Sequence, residues 1–418
     1  MNKPWVDFKL GNYMVDLPKS TLQASHTDAR GNYDFFCSSS VPKKSHTWLI
    51  EQPAILMGTG GVASVHYGSG RFAYSTDTWA FKIRQDECLL HTYAYRVLEH
   101  SISRIDYAGF EGSGLRHLRK DFIRKLVFKA PANLSEQQKI AAILASIDTA
   151  IEKTEALIEK YQQIKAGLMH DLFTRGVLPS GQLRPPREQA PELYQETSIG
   201  WFPKEWRVYS LESLLAPVAN NVRSGPFGSA LLKHELVENG APFLGIDNIF
   251  VERFEADFKR FVSENKFNEL SRYKTRPNDV LITIMGTVGR SCVIPAFIER
   301  ALSSKHLWTM TFDNKKVIPE LICWQLNHAD WAKTSFRRAA QGGVMEAIQS
   351  STLKKLLLPT PRLDEQELIY KRYDKISERI RHEEKQVEKL KKQKNGLMQD
   401  LLTGKVQVTP PAESTING

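Results

Sequence analysis

At 418 residues the chain exceeds one compact core, and 41% apolar with 10% aromatic residues exclude a disordered polymer. No apolar run approaches the roughly 18 residues of a membrane span, Met1 to Leu10 lacks a signal-peptide pattern, and Cys37, Cys88, Cys292 and Cys323 form no C-x-x-C pair. The expectation is a cytoplasmic protein of two or more domains, without membrane, zinc or disulfide framework, whose net charge of +10 favours a polyanionic partner.

The first predicted globular unit covers 1–133. It opens on Trp5 to Leu10 and carries a basic cluster, Lys43, Lys44 and His46. Ala54 to Met57 and Phe81 to Ile83 read as strands. The turn between them, Gly58, Thr59, Gly60 and Gly61, places backbone N–H groups at a corner where a phosphate could sit, although a plain hairpin turn gives the same pattern. Arg71, Tyr74, Ser75 and Thr76 follow as a polar cluster.

A helical unit is predicted over 134–177. Ile140, Leu144, Ile147, Ile151, Ile158, Tyr161, Leu168 and Leu172 alternate four and three apart, with Thr154 and Lys165 interrupting the seam. A period of 3.5 residues over four heptads specifies a helix with one narrow apolar stripe. Its 33 residues would extend ~50 Å at 1.5 Å rise per residue. Segment 178–200, with Pro185, Pro186 and Pro191, reads as an extended linker.

The second globular unit, 201–361, has predicted strands at Val280 to Ile284 and Leu307 to Phe312. A second Gly turn, Gly286 with Thr287, lies beside Arg290, Ser304, Lys305 and His306. Further polar candidates are Arg223, Ser224, Lys233, Asn248, Arg337, Arg338 and Gln341, each of which a solvated surface would also explain. Arg and Lys suit guanine edges or phosphates, and Asn, Gln, Ser and Thr suit adenine edges.

A second helical unit, 362–405, repeats the seam with Ile369, Tyr373, Ile376, Ile380, Val387, Leu390, Leu397 and Leu401, broken at Glu383 and Lys394. The tail, 406–418, reads as flexible.

The chain is an internal repeat. Leu134-Ser-Glu-Gln-Gln to Thr174 returns as Leu363-Asp-Glu-Gln-Glu to Thr403 at a constant offset of 229. Trp5 to Leu10 returns as Trp206 to Leu211 at an offset of 201, so the second unit carries about 28 extra residues before its Gly turn. The two seams are expected to pair with each other, antiparallel and within one chain, the alternative being that each helix lies against its own globular unit. Glu136 and Glu365 suit helix N-termini. Segment 134–177 has five Lys/Arg against six Asp/Glu and 363–406 has eleven against nine, so nearly all the positive excess lies in the globular units. That disfavours a basic-zipper mode, in which the helix itself enters the groove.

This combination resembles the specificity subunit of Type I restriction–modification systems across nearly the whole chain. The resemblance rests on the repeated Leu-Ser-Glu-Gln-Gln helix ending near Gly167-Leu-Met-His-Asp-Leu-Phe-Thr174, on Ile199-Gly-Trp-Phe-Pro-Lys-Glu-Trp206, on Ser224-Gly-Pro-Phe-Gly-Ser229 and on Gln341-Gly-Gly-Val-Met-Glu-Ala-Ile348. It implies an α+β (mixed α/β) chain of two target-recognition domains on a pseudo-twofold antiparallel coiled coil. It also implies double-stranded DNA read as a bipartite asymmetric sequence, two methyltransferase subunits, and motor-nuclease restriction subunits as partners. S-adenosylmethionine, ATP and Mg²⁺ would then belong to those partners and none to this chain. The first unit departs from the family pattern in lacking the Ser-Gly-Pro-Phe-Gly-Ser segment.

No catalytic motif opposes that reading. There is no Asn/Asp-Pro-Pro-Tyr/Phe loop, no P-loop, and neither H-E-x-x-H nor G-x-S-x-G. The alternatives are a coiled-coil interaction scaffold without sequence readout, and a stand-alone DNA-modifying enzyme with an unrecognised site.

Overall fold

The computed structural model describes residues 5–84, 88–340 and 348–408, and the side chains of all of these except 339 and 340. Helices and strands are mixed, and the chain divides into two compact units, Met1–Glu159 with His382–Gly418, and Lys160–Arg381. Each long helix, Leu134–Thr174 and Leu363–Leu402, therefore begins in one unit and ends in the other.

Within the first unit, a four-stranded antiparallel sheet runs in the order Met14–Asp16, Thr78–Ile83, Ala54–Gly58, Val65–Gly68. Ala54–Gly58 is buried at every position, as its unbroken apolar run requires of a central strand covered on both faces. The second unit has an equivalent sheet in the equivalent order, Val222–Ser224, Leu307–Met310, Val280–Thr283, Ser291–Val293. A further four-stranded sheet in each contains one parallel pair, set by Phe35 opposite Ala73 in the first and Phe243 opposite Leu302 in the second. The repeat thus extends from the helices to the strand topology of the heads.

Each head is closed by its own first and last strands. Trp5–Lys9 pairs antiparallel with Val127–Pro131, and Arg207–Ser210 with Leu357–Thr360. The last strand leads directly into a long helix in both cases, which explains the echo of Trp5 to Leu10 in Trp206 to Leu211.

The seams do more than face another helix. In the first unit Ile140 and Leu144 are fully buried in the head's core beside Phe8, Leu10 and Ile123, together with Met398, Leu401 and Leu402 of the second helix. In the second unit Ile369 and Tyr373 join Met169, Leu172 and Phe173 in a core with Trp206 and Trp324. Ile147, Ile151, Ile380 and Val387 are also buried, while Ile158, Tyr161, Leu168, Ile376, Leu390 and Leu397 are half-buried. Helix-to-helix contacts within each unit run antiparallel: Glu155 meets Lys391 and Asp148 meets Lys394 in the first, and Tyr161 meets Arg379 in the second. At its ends, then, each stripe packs into a head as well as against the other helix.

Segment 178–200 departs from the extended linker expected of its prolines. Arg184 is buried against Glu365 and Glu205, the Tyr194 hydroxyl donates to the Pro185 carbonyl at 2.6 Å, and Tyr194–Thr197 pairs with Gly200–Pro203. A buried guanidinium is stable only with such partners, and these tie the segment to its own unit. Among the described residues no helix is long and apolar enough to cross a membrane.

Candidate nucleic-acid interface

In the first head, Lys43 and Lys44 lie exposed on the outermost strand, Lys43–Ser45, of the sheet with the parallel pair. Lys44 pairs with Asp34 at 2.8 Å, and the exposed His46 lies 3.3 Å from Asp28. Arg71 is also exposed, paired with Glu51 at 3.1 Å and stacked over Trp48. Because these pairs are exposed, water and salt screen them, and their cations remain available to a polyanion.

Tyr74 and Ser75 of that candidate set are turned inward, and Thr76 is half-buried. Tyr74 is buried with its hydroxyl donated to the Pro18 carbonyl at 2.5 Å, and Ser75 is buried with its hydroxyl 3.1 Å from that of Thr78. The Thr76 backbone N–H goes to the Leu22 carbonyl. The Gly turn is likewise committed: the N–H groups of Gly58, Thr59 and Gly61 go to the carbonyls of Ser64, Asp77 and Arg116, and Gly60 bridges to His117. Those three bonded N–H groups are not free for a phosphate, so the turn is the strand-to-strand corner that the plainer explanation anticipated.

The second head divides the same way. Arg223, taken from sequence as a DNA-reading candidate, is 5% exposed and bound to Asp279, with further bonds to Thr311 and to the Lys274 and Asn220 carbonyls. Burial pushes the Asp279 carboxyl up against the pull of Arg223, and lowers Arg223 against the pull of Asp279. This is an interior ion pair. Asn248 is buried too, accepting from the Gly245 N–H at 2.9 Å and donating to the Glu255 carbonyl at 3.0 Å. Buried Ser224 donates to the Lys305 carbonyl.

Facing outward are Lys233, Lys305, Arg337 and Arg338, all exposed, with His306 and Arg290 half-buried. Lys233, Lys305 and His306 line one concavity. Gly286 adopts a left-handed conformation (φ 75°) at the tip of a turn in which Thr283 bonds the Thr287 carbonyl. Gln341 lies outside the described residues.

Sequence reasoning missed two buried clusters. Gln137 is fully buried, taking the Leu90 N–H at 2.9 Å and donating to the Cys88 and Pro131 carbonyls at 2.8 and 2.9 Å. Gln366 does the same with Ile318, Lys316 and Pro361. The signal was present, since both glutamines fall inside the repeated motif.

The second cluster centres on Glu252, which takes the seam cation Lys165, His328 at 2.6 Å and the Tyr373 hydroxyl at 3.0 Å. Burial pushes the Glu252 carboxyl up, but His328 and Lys165 outweigh it and hold it down at about 2. The other seam cation, Lys394, is taken by Glu99 and Asp148, each at 2.6 Å. Both lysines that interrupt the stripe are therefore neutralised by carboxylates within their own units. Glu365, expected only to complement a helix N-terminus, also binds Arg184, the Val177 N–H and the Trp206 indole.

A family profile described as the Type I restriction modification DNA specificity domain matches residues 2–163 and 203–392. The MjaVIII Type I restriction enzyme specificity subunit of Methanocaldococcus jannaschii is 24% identical over 302 residues, covering 71% of this chain and 66% of its own length. The match thus spans just under two thirds of that archaeal protein. The EcoDI specificity subunit of Escherichia coli is 22% identical over 414 residues, covering 95% of this chain and 87% of its own. The crystal structure of a Type I restriction–modification S subunit from M. genitalium matches with a TM-score of 0.63 at 15% identity, over 98% of both chains, a likeness of fold.

Proposed function

This chain belongs to the Type I restriction–modification DNA specificity family, and from that premise we propose that it reads a bipartite, asymmetric DNA sequence and directs methyltransferase and restriction subunits to it. One observation carries the reading: two heads of equivalent strand order, each closed on itself and each continuous with a long helix, are joined in one chain. Two similar but non-identical heads read two different half-sites. Exposed Lys43, Lys44 and Arg71 in the first head and Lys233, Lys305, Arg337 and Arg338 in the second are suited to phosphates and base edges.

In this reading residues 1–133 and 201–361 are the target-recognition domains, 134–177 and 362–405 the helical spacers, 178–200 the connection and 406–418 a tail. The helices form an antiparallel coiled coil whose length sets the unread gap between half-sites; the Glu155–Lys391 and Tyr161–Arg379 contacts support that pairing. Chemistry resides in the partners, two methyltransferase subunits using S-adenosylmethionine and restriction subunits using ATP and Mg²⁺. The absence from the sequence of a base-gripping Pro-Pro loop and of a P-loop supports this division.

The test is genome-wide mapping of methylated adenine with and without this chain, co-expressed with its methyltransferase partner. A two-block motif with an undefined spacer, lost on deletion, is the expected result. Unchanged methylation would remove the recognition role and leave the scaffold reading.

A further inference from the structure

One carboxylate ties the second head to both long helices. Glu252 Oε2 accepts from Lys165 of helix Leu134–Thr174 and, at 3.0 Å, from the Tyr373 hydroxyl of helix Leu363–Leu402. Oε1 takes His328 Nε2 at 2.6 Å, at the end of the head's own helix Pro319–His328. Lys165 also stands over the Tyr373 ring, 4.6 Å from its centroid. All four residues lie within Lys160–Arg381. Glu252 reaches this place at a conformational cost. It is the second loop residue of the hairpin that pairs Ile249–Phe250 with Arg253–Phe254, and its φ is 57°. A positive φ at that position of a tight turn ordinarily selects Gly or Asn. Among the described residues the other non-glycine positions with positive φ are Asn220 and Asn278, whose side chain tolerates it. A glutamate held in a sparsely populated conformation that Gly would adopt without strain points to a task for its carboxylate.

The repeat shows what that task is. In the first unit the lysine matching Lys165 is Lys394, which meets Glu99 of the head and Asp148 of the other long helix at 2.6 Å each. The hydrogen bonds of Gln137 to Leu90 and of Gln366 to Ile318 align the two units, at an offset of 228 in the head's helix and 229 in the long helix. At those offsets Glu99 becomes Asn327 and Asp148 becomes Ser377, so neither carboxylate survives in the second unit. Asn327 is bonded instead to Ser291 and the Cys323 carbonyl. The replacement arrives on an excursion that the first head lacks. There the chain passes from strand Tyr33–Phe36 to its antiparallel neighbour Lys43–Ser45 through 37–42. In the second head it passes from Ala241–Leu244 to Phe261–Val262 through 245–260, and the Glu252 hairpin lies in that longer stretch.

Neutralising Lys165 would need only a carboxylate on the facing helix, as Asp148 provides for Lys394. A carboxylate carried by a head and shared between two helices also fixes where that head stands. We infer that Glu252 is a positioning residue: by holding Lys165 and Tyr373 together it sets the direction in which the second head stands on the helices of its own unit, and hence the gap at which the second half-site is accepted. Glu99, which brings the first head to Lys394, has the same role there. The inference rests on the DNA-reading function above and adds that the accepted gap depends on carboxylates borne by the heads as well as on helix length.

The test uses the full chain purified with its methyltransferase partner, and duplexes that keep both mapped half-sites while the gap is native, one base pair shorter or one longer. Lys165→Met with Glu252→Gln removes both charges at near-constant volume, so that folding does not depend on an unpaired ion. Lys165→Met with Glu252→Gly removes the charges and the strained side chain together, and should melt no lower than the first double variant. Expected in both is a several-fold loss of preference for the native gap, with preference for the half-site bases unchanged. A native gap preference kept in both variants, whether or not the melting temperature falls, reduces Glu252 to a stabilising contact and overturns the inference. Loss of half-site base preference along with the gap preference would make Glu252 part of the reading surface, and overturns it too. A wild type that binds no duplex sequence-specifically fails the DNA-reading function itself, and is distinguishable from these results.

Discussion

Gln137 and Gln366 stand 229 residues apart and make the same three hydrogen bonds, each joining the start of a long helix to the backbone of its own head. The helices are thereby registered on the heads by one side chain apiece. Truncating either would strand buried backbone groups, at about 1–3 kcal/mol for each group left unpaired.

The two sites can be read separately. Gln137→Leu is expected to accelerate hydrogen exchange at the Leu90 amide and leave Ile318 unchanged, and Gln366→Leu the reverse. Mass-resolved exchange on the complex measures both. Unaltered exchange at the matched amide would show that the glutamines are not what holds these segments.

Acid should weaken the second unit first through Glu252. Its carboxyl titrates at about 2 when folded, below the ordinary value of 4.5, so the unfolded state binds the proton more readily. The stabilisation is complete above pH ~4.5 and is lost as pH falls from there towards 2. The shift corresponds to about 3 kcal/mol, an upper figure for a group coupled to both Lys165 and His328. Denaturant midpoints between pH 6 and 3 should fall in the wild type and flatten in Glu252→Gln. An equally steep fall in that variant would place the sensitivity elsewhere.

Arg223 separates structure from readout. Arg223→Met alone should destabilise the second head by about 3–5 kcal/mol, because Asp279 is left buried without its cation. Arg223→Met with Asp279→Leu should restore most of the loss together with DNA binding. A double variant that is stable yet selectively blind to the second half-site would return Arg223 to the DNA-reading set.

Exposed cations should behave differently. Lys43→Ala with Lys44→Ala is expected to leave thermal stability within about 0.5 kcal/mol. The same pair should flatten the plot of log binding constant against log salt by about 2 if both touch phosphate. An unchanged slope would place the DNA on another face of the first head.

Spacer length should follow helix length. Inserting one heptad into both helices adds ~10 Å, which is about 3 base pairs at 3.4 Å per step. The methylated motif should keep both half-sites and widen its gap. Altered half-site identity would contradict the division between heads and helices.

Much of this architecture was legible from periodicity and repetition. The seam positions appear as a long helix in each copy, and the strands around Ala54, Phe81, Val280 and Leu307 appear where apolar runs placed them. The candidate site was less legible. Tyr74 and Ser75, in the cluster beside the first Gly turn, and the further candidates Arg223 and Asn248 are all polar, and sequence alone cannot tell a polar group that holds the backbone together from one that reaches outward. Ion pairs such as Arg223 with Asp279, 56 residues apart, exist only once the chain has folded. Lys165 and Lys394 looked like register-setting interruptions of a helical seam. Their carboxylate partners Glu252 and Glu99 belong to the heads, and no heptad pattern reveals them.

The pairing of first and last strands has an evolutionary consequence. With Phe8 opposite Phe128 and Tyr209 opposite Leu358, the chain enters and leaves each head at adjacent points on a two-stranded ladder. Everything between those strands is a closed excursion from the helical frame. A gene segment encoding a different excursion could replace it and leave the ladder intact, provided that it brought backbone groups equivalent to Cys88 and Leu90, or Lys316 and Ile318, to the buried glutamine. New DNA preferences could then be acquired by exchanging whole cassettes, without retuning the surface residue by residue.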